Sequence, residues 1–428
     1  MKNKTLLLKK RNRGVVLILT LWMVTVLSMI AYSLAYEMRL EARLTKLKKD
    51  NLIAFQLAKA GVAKAVCDLK NDMVMDRAEK AQILDAEGDV WKNPKDKVDV
   101  KMGGGSYTVR IIDEESLLNL NTANTLVILH AIKYFLGDDQ EEEAKRIALA
   151  ITDWRDTDDV PSDSGKDLNE NEFYRQSIAE DLGLNQEEEN GISYRLKNDY
   201  FTTVEELLDV YGVTPELFYG YNPEERKEEI LMEKTRTSRG DDRHIMRSSS
   251  EGSSYQFDLE TKGLRDIFTV RSDGFVNINT AGEAVLTAII AASQINDPDP
   301  QSLAKGIIEY RRDGAKEDID NEQAFRSIGE LSQVEELSGP LISRLQSLQR
   351  LNISSNHFRI IAEGTYGRAH RTIEAVVTRT WETFTVDAND GDFDPSIRRR
   401  VKREEKNKSE DRVTVESPTV RIIQFRER

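Results

Sequence analysis

The sequence predicts an α+β protein: a long N-terminal transmembrane helix laid on a small antiparallel sheet, with a large all-α domain inserted into that sheet. Three observations predict it. An uncharged stretch, "VVLILTLWMVTVLSMIAYSLAY" from Val15 to Tyr36, runs without a break into a helical apolar pattern. Segments that alternate apolar and polar residues lie far apart, near Tyr107 and near Ile373. Between them one series of phrases occurs twice, opening on "NLNTAN" at Asn119 and on "NINTAG" at Asn277.

The membrane helix comes first. The stretch "MKNKTLLLKKRNRG" carries Lys2, Lys4, Lys9, Lys10, Arg11 and Arg13 and no acid. A bilayer core takes about 20 apolar residues, and the run after Gly14 supplies them. The basic flank stays in the cytoplasm, so everything after Glu37 falls on the far side. A secretory signal has a shorter apolar region, roughly 7–15 residues, ending at a small-residue cleavage site. Here the pattern continues instead. Leu40, Leu44, Leu47, Phe55, Ala58, Val62, Val66 and Leu69 step by threes and fours, with Asn51 in the gap. Pro94 is the first proline. One helix from about Val15 to about Met75 is expected, half in lipid and half packed on a domain, with the Leu40–Leu69 stripe against the sheet.

Next, "VDVKMGGGSYTVRIIDEES" reads as two strands joined by a turn. No Gly-Lys-Ser/Thr follows the glycines, so a phosphate-cradling loop is not indicated. Then comes the duplication. Copy one runs "NLNTANTLVILHAI", "AKRIALAITDWRDTDD", "FTTVEELLDVYGVTPELF"; copy two runs "NINTAGEAVLTAII", "LAKGIIEYRRDG", "FRSIGELSQVEELSGPLISRL". Asn121-Thr122 and Asn279-Thr280 are placed to cap the helices that follow. The polar, Ser-rich stretch between the copies reads as a linker. After copy two, "HFRIIAEGTYGRAHRTIEAVVTRTW" reads as a hairpin whose strands pair with those near Tyr107. The remainder reads as a charged tail, in which "RVTVESPTVRIIQF" could pair as strands.

The chain has 428 residues, enough for two or three compact units. Its formal net charge of −14 weighs against a nucleic-acid partner, because phosphate binding needs a local surplus of cations. A DNA-binding helix-hairpin-helix also needs a Gly-apolar-Gly turn whose backbone N–H groups approach a phosphate. The two copies have "YFLGDDQEEEAK" and "ASQINDPDPQSLAK" there, both acidic. Cys67 is the only cysteine, so no intramolecular disulfide can form. His130, His244, His357 and His370 are scattered without metal-ligand spacing, and no nucleophile motif occurs, so nothing supports an enzyme. One cluster stands out, in "DWRDTDDVPSDSGKDLNENEFY". Asp156, Asp158, Asp159 and Asp163 lie on a segment that Pro161 and Gly165 force to turn, and Glu170 and Glu172 can fold back to complete a shell. Hard carboxylate oxygens on a loop suit Ca²⁺, which takes 6–8 of them. A solvated acidic loop is the plain alternative.

Taken in order, these segments resemble the K-class minor pseudopilins of the type II secretion system (general secretion pathway protein K). The resemblance rests on the leader ending in Gly14, the long apolar helix, "YTVRIIDEES" running into "LNLNTAN", "DWRDTDD" with its later "NEFY", "FTTVEELL", and "VNINTAG" after "LRDIFTVRSDG". It reaches to about Trp381. It implies a pilin-like sheet and an inserted domain of two helix-hairpin-helix (SAM-like) halves. The divisions expected are a leader at 1–14, a transmembrane segment at 15–36, and the rest of the pilin helix with the first strands at 37–116. The first repeat follows at 117–220, the linker at 221–270, the second repeat at 271–350, the late strands at 351–382 and the tail at 383–428. It further implies cleavage by the prepilin peptidase after Gly14, with Val15 as the mature N-terminus, methylation, and calcium in the inserted domain. Such a protein crosses the bacterial inner membrane once and keeps its bulk in the periplasm. It stands at the tip of the pseudopilus with the I and J class minor pseudopilins above the major pseudopilin, and starts or caps assembly for protein export. Most pilins have Glu at the fifth mature position; here it is Leu19. The competing reading is a membrane-tethered DNA-binding protein of the competence type, which shares the Asn-apolar-Asn-Thr-Ala phrase.

Overall fold

The computed structural model describes residues 13–79, 83–86, 88–89, 91–92, 97–163, 168–184, 191, 193–220, 263–293, 299–313, 324–387 and 412–427. The leader up to residue 12 and most of the expected linker, 221–262, lie outside the described residues.

Helix α1 (Arg13–Glu79) is continuous for 67 residues, and no proline interrupts it. Its apolar first part is bare of protein, as a lipid-facing segment must be. Its last part is covered: Ala54, Leu57, Ala58, Val62, Ala65, Leu69 and Met73 are buried. The expected stripe begins too early. Leu40, Leu44 and Leu47 are 48%, 48% and 54% exposed, and the buried apolar run of α1 begins only at Ala54. A Cβ on Gly364 would strike the Ala54 carbonyl, and one on Gly61 would lie 2.6 Å from Val109 Cγ2. The sheet therefore meets helix backbone at Gly364, and sheet side chains pack against the bare Cα of Gly61.

The chain continues as β1 (Val100–Met102) and β2 (Gly105–Asp113), joined through Gly103 and Gly104 at φ 57° and 82°. It then leaves for the helical domain, whose described residues include four short strands: β3 (Leu118–Asn119), β4 (Phe268–Thr269), β5 (Phe275–Asn277) and β6 (Arg350–Asn352). It returns as β7 (His357–Tyr366), β8 (Ala369–Asp387) and β9 (Arg412–Glu427). The sheet order is β1-β2-β7-β8-β9, antiparallel throughout. Tyr107 pairs with Gly364 and Asp113 with Phe358, so the early and late strands meet as expected. Leu57, Ala58, Val62, Ala65 and Leu69 of α1 form one core with Val109, Ile111, Phe358, Ile360, Ile373 and Ala375 of the sheet.

Within the tail, the stretch "RVTVESPTVRIIQF" lies in a strand. Strand β9 runs along β8 from Asp387↔Arg412 to Ile373↔Glu427 and closes the sheet. Its charges suit an edge strand, which must not invite further pairing. The late strands likewise extend beyond 382, to Asp387.

Helices α2 (Thr125–Leu136), α3 (Glu141–Arg155), α4 (Glu170–Leu182) and α5 (Pro215–Tyr219) belong to the first half. Helices α6 (Glu283–Ala292), α7 (Pro300–Asp313) and α8 (Gly339–Leu348) belong to the second. Helix α2 packs on α6, and both halves share one apolar core. Strand β3 pairs in parallel with β4, as β5 does with β6. The segment Leu264–Thr269, expected in the linker, thus closes the first half: Leu120 N–H bonds Thr269 O at 2.8 Å, as Ile278 N–H bonds Asn352 O at 3.0 Å.

The repeated asparagines do not cap helices. Asn124 caps α2, accepting from Leu126 N at 2.9 Å, and Gly282 precedes α6 without a side-chain cap. Asn121 instead clamps Phe201, accepting from its N–H at 2.8 Å and donating to its carbonyl at 3.0 Å. Asn279 clamps Phe325 in the same way, at 2.9 and 3.0 Å. A guanidinium completes each copy: Arg155 donates to the carbonyls of Leu120 and Ala123, and Arg311 to those of Ile278 and Ala281. The repeated phrase is therefore a tight turn whose polar atoms tie the start of each half to its third segment.

Candidate metal centre

The acidic loop leaves the last turn of α3 and ends at α4. Helix α3 stops after Arg155, where Asp156 turns extended (φ −80°, ψ 172°). Helix α4 starts behind Asn169, whose side chain accepts from Glu172 N at 2.9 Å. The chain between is drawn inward because Glu170 N–H reaches Asp159 O at 3.3 Å and Ser162 N–H reaches both oxygens of Asp153, at 3.1 and 3.2 Å.

These turns bring three carboxylates together. One oxygen each of Asp153, Asp156 and Glu170 lies within 4.8 Å of the others. Asp153 and Glu170 are fully buried and Asp156 half-buried. Asn198, at φ 48°, closes the group by donating to Asp158 O at 2.8 Å and Glu170 Oε2 at 2.9 Å. Tyr174 donates its hydroxyl to Asp153 Oδ2 at 2.7 Å. Three buried oxygens nevertheless receive no hydrogen bond: Asp156 Oδ1, Glu170 Oε1 and Asn198 Oδ1.

Electrostatics agree with the geometry. Burial, then repulsion by Asp158 and Asp153, pushes Asp156 up to about 6. Burial, then repulsion by Asp153 and Asp156, pushes Glu170 up to about 7. Burial raises Asp153 too, against the hydrogen bonds from Ser162 and Tyr174. Crowded carboxylates with unused buried oxygens are a donor set that fits a hard cation.

Of the six residues expected as ligands, Asp156 and Glu170 are in this group and the other four are not. The Asp158 carboxylate is exposed and accepts from Val160 N at 2.9 Å, though its charge bears on the group. Asp159 and Asp163 are exposed, and Glu172 is half-buried in the first turn of α4. Sequence reasoning missed Asp153, whose signal was an acid between the apolar Ile151 and Trp154. It also missed Asn198, whose distance along the chain gave no signal. At the matching place the second half reads "EYRRDG", where the first has "TDWRDTDD".

No family model matches this sequence, and no curated protein matches it significantly. Among solved structures, the chain is similar to one in the crystal structure of the GspK-GspI-GspJ complex from the type 2 secretion system of enterotoxigenic Escherichia coli. The two have a TM-score of 0.46 and 14% identity, over 78% of this chain and 94% of that one.

Proposed function

We propose that this chain is a K-class minor pseudopilin, the tip subunit that starts or caps a type II secretion pseudopilus. One topological observation carries the reading. Helix α1 meets the sheet at Ala54, beside Gly364, and nearer its far end Asp72 lies beside Arg379. The helical domain leaves the sheet at Asp113 and returns at His357, on this second end, away from the apolar segment. A bulky domain there obstructs any subunit that would be added above it.

Leu19 supports the same role. An acid in lipid is costly unless it meets a cation, and a subunit with no neighbour above has no amine to meet. The exposed stripe of Leu40, Leu44 and Leu47 is free to pack on the helices of neighbours below. Those neighbours are the I and J class minor pseudopilins and then the major pseudopilin, in the bacterial inner membrane and periplasm. In this reading Asp153, Asp156 and Glu170 hold Ca²⁺, which supplies charge neutralisation and fixes the loop between α3 and α4. A DNA-binding role is disfavoured by the exposed Asp138, Asp139, Glu141 and Glu142 at the turn between α2 and α3.

The test is the mature N-terminus in cells that contain the prepilin peptidase. Val15 is expected, and an intact Met1 would sink the reading. The calcium part is checked by melting the detergent-solubilised chain with Ca²⁺ and with chelator. At a hundredfold excess over the dissociation constant, binding stabilises by about 2.7 kcal/mol. Asp156→Asn with Glu170→Gln removes that response.

A further inference from the structure

The two apolar cores are separate: one holds side chains of the helical domain, the other those of α1 and the sheet. Polar groups join the two bodies. Three consecutive acids at the end of β2 each meet different partners. Asp113 accepts from Thr280 at 2.5 Å and from Ser355 at 2.6 Å. Glu114 pairs with Arg359 at 2.6 Å and accepts from Thr269. Glu115 is fully buried, accepts from Asn356 N at 3.0 Å, and pairs at 3.1 Å with Nδ1 of His357, the first residue of β7. The other ring nitrogen, Nε2, lies 3.9 Å from Oδ1 of Asp273, in the turn between β4 and β5. That turn is held by the helical domain, since Asn119 Nδ2 donates to Ser272 O at 2.6 Å and Gln349 Nε2 to Gly274 O at 2.8 Å. His357 therefore stands at the splice, with the exit from the sheet on one nitrogen and the helical domain on the other.

We propose that His357 is a proton-operated latch: its imidazolium ties Glu115 at the exit from the sheet to Asp273 of the helical domain, and loss of the proton loosens the turn that carries Asp273. The geometry asks for the charged ring. An imidazolium has an N–H on both nitrogens, whereas a neutral ring that keeps its Nδ1–H on Glu115 turns a lone pair towards Asp273. Among the described residues His357 is also the cation that Glu115 meets, and a buried carboxylate left without one is costly. The other charges around the ring are engaged. Arg359 of β7 pairs with Glu114, Arg271 of the turn pairs with Glu374 of β8 at 3.5 Å, and Arg379 of β8 pairs with Asp72 and Asp85. Thr378, opposite His357 on β8, carries no charge. Burial works against the charged ring, but the hydrogen bond to Glu115 and the charges of Asp273, Glu115 and Glu114 outweigh it and hold the pKa above the ordinary 6.5. The latch is closed below that ordinary value and opens as pH rises through the raised one.

Hydrogen exchange on the full chain in detergent, with Ca²⁺ present, tests the latch. Protection of the amides of residues 270–274 is corrected for intrinsic base catalysis and measured against that of α6. Between about pH 6 and about pH 8.5 it should fall by about threefold to fivefold, the scale of one partly exposed ion pair. Asp273→Asn, which removes an exposed charge, should show the looser value at both ends. His357→Gln, unable to take the proton, should do the same; if it fails to fold, Asp273→Asn decides. Protection that ignores pH in the unaltered chain overturns the proposal. A pH response that persists in Asp273→Asn overturns it too, because the buried acids would then be its cause. So does an equal loss of protection in α6, which is global unfolding.

Discussion

Asn279 is fully buried and spends its amide on main chain, holding both polar atoms of Phe325 and reaching Ile353 O at 3.4 Å. Removing one partner of a buried hydrogen bond leaves the other stranded, at about 1–3 kcal/mol each. Asn279→Ala should therefore lower stability by about 3 kcal/mol. Asn121→Ala should cost less, because Asn121 is half-buried, and the exposed cap Asn124→Ala about 1 kcal/mol. Urea midpoints of the three variants check that order. The sequence displayed these asparagines twice and so disclosed the duplication. It could not disclose their partners, which lie 80 and 46 positions away. A cap is a local bond and a clamp is not, so local reasoning chose the cap. The metal centre divided likewise: Asp156 and Glu170 flank a visible loop, whereas Asn198 arrives from 28 positions beyond Glu170.

Helix α1 was legible because a continuous apolar run followed by a 3.6-residue period needs no tertiary information. Its contact with the sheet was only half legible. Periodicity says which face is apolar, but not where burial of that face begins, and it begins at Ala54. Leu44→Asp should consequently leave the melting temperature of the solubilised chain unchanged, whereas Val62→Asp, at a site 3% exposed, should cost roughly 3 kcal/mol or more. Gly364→Ala should cost about 1–3 kcal/mol by overpacking, since the new methyl meets helix backbone that cannot rotate away. Gly105, whose Cβ would lie 2.6 Å from Leu57 Cδ1, also faces α1. Strand β9 was less legible than β7 and β8. Its alternation is diluted by edge charges, and it begins beyond a long charged interval that separates it from its partner β8.

Over the whole molecule, buried acids set a common pH dependence. Asp72 is held up at about 8, Asp113 at about 7, Glu170 at about 7 and Asp156 at about 6, in each case chiefly by burial. Unfolded carboxyls titrate near 4. The folded chain thus binds more protons than the unfolded one between about pH 4 and pH 8, and stability falls as pH rises through that window. Glu206 acts in the opposite sense: burial works against it, but bonds from Lys197 and Thr202 bring it down to about 2, so its effect lies below the window. In chelator, the melting temperature should be higher at about pH 5.5 than at about pH 8.5, and Ca²⁺ should narrow the gap by stabilising the ionised forms. A higher melting temperature at the alkaline end in chelator would contradict the burial of these groups. The splice between β2 and β7 also has a consequence in time. Asp113 and Ser355 touch across 242 positions. At a synthesis rate of about 5–20 residues per second, β2 waits roughly 10–50 s for its neighbour. Through that interval its edge is bare while both helical halves emerge. The helical domain is thus complete before the sheet that bears it can close, and the last strand to be made, β9, is the one that finishes it.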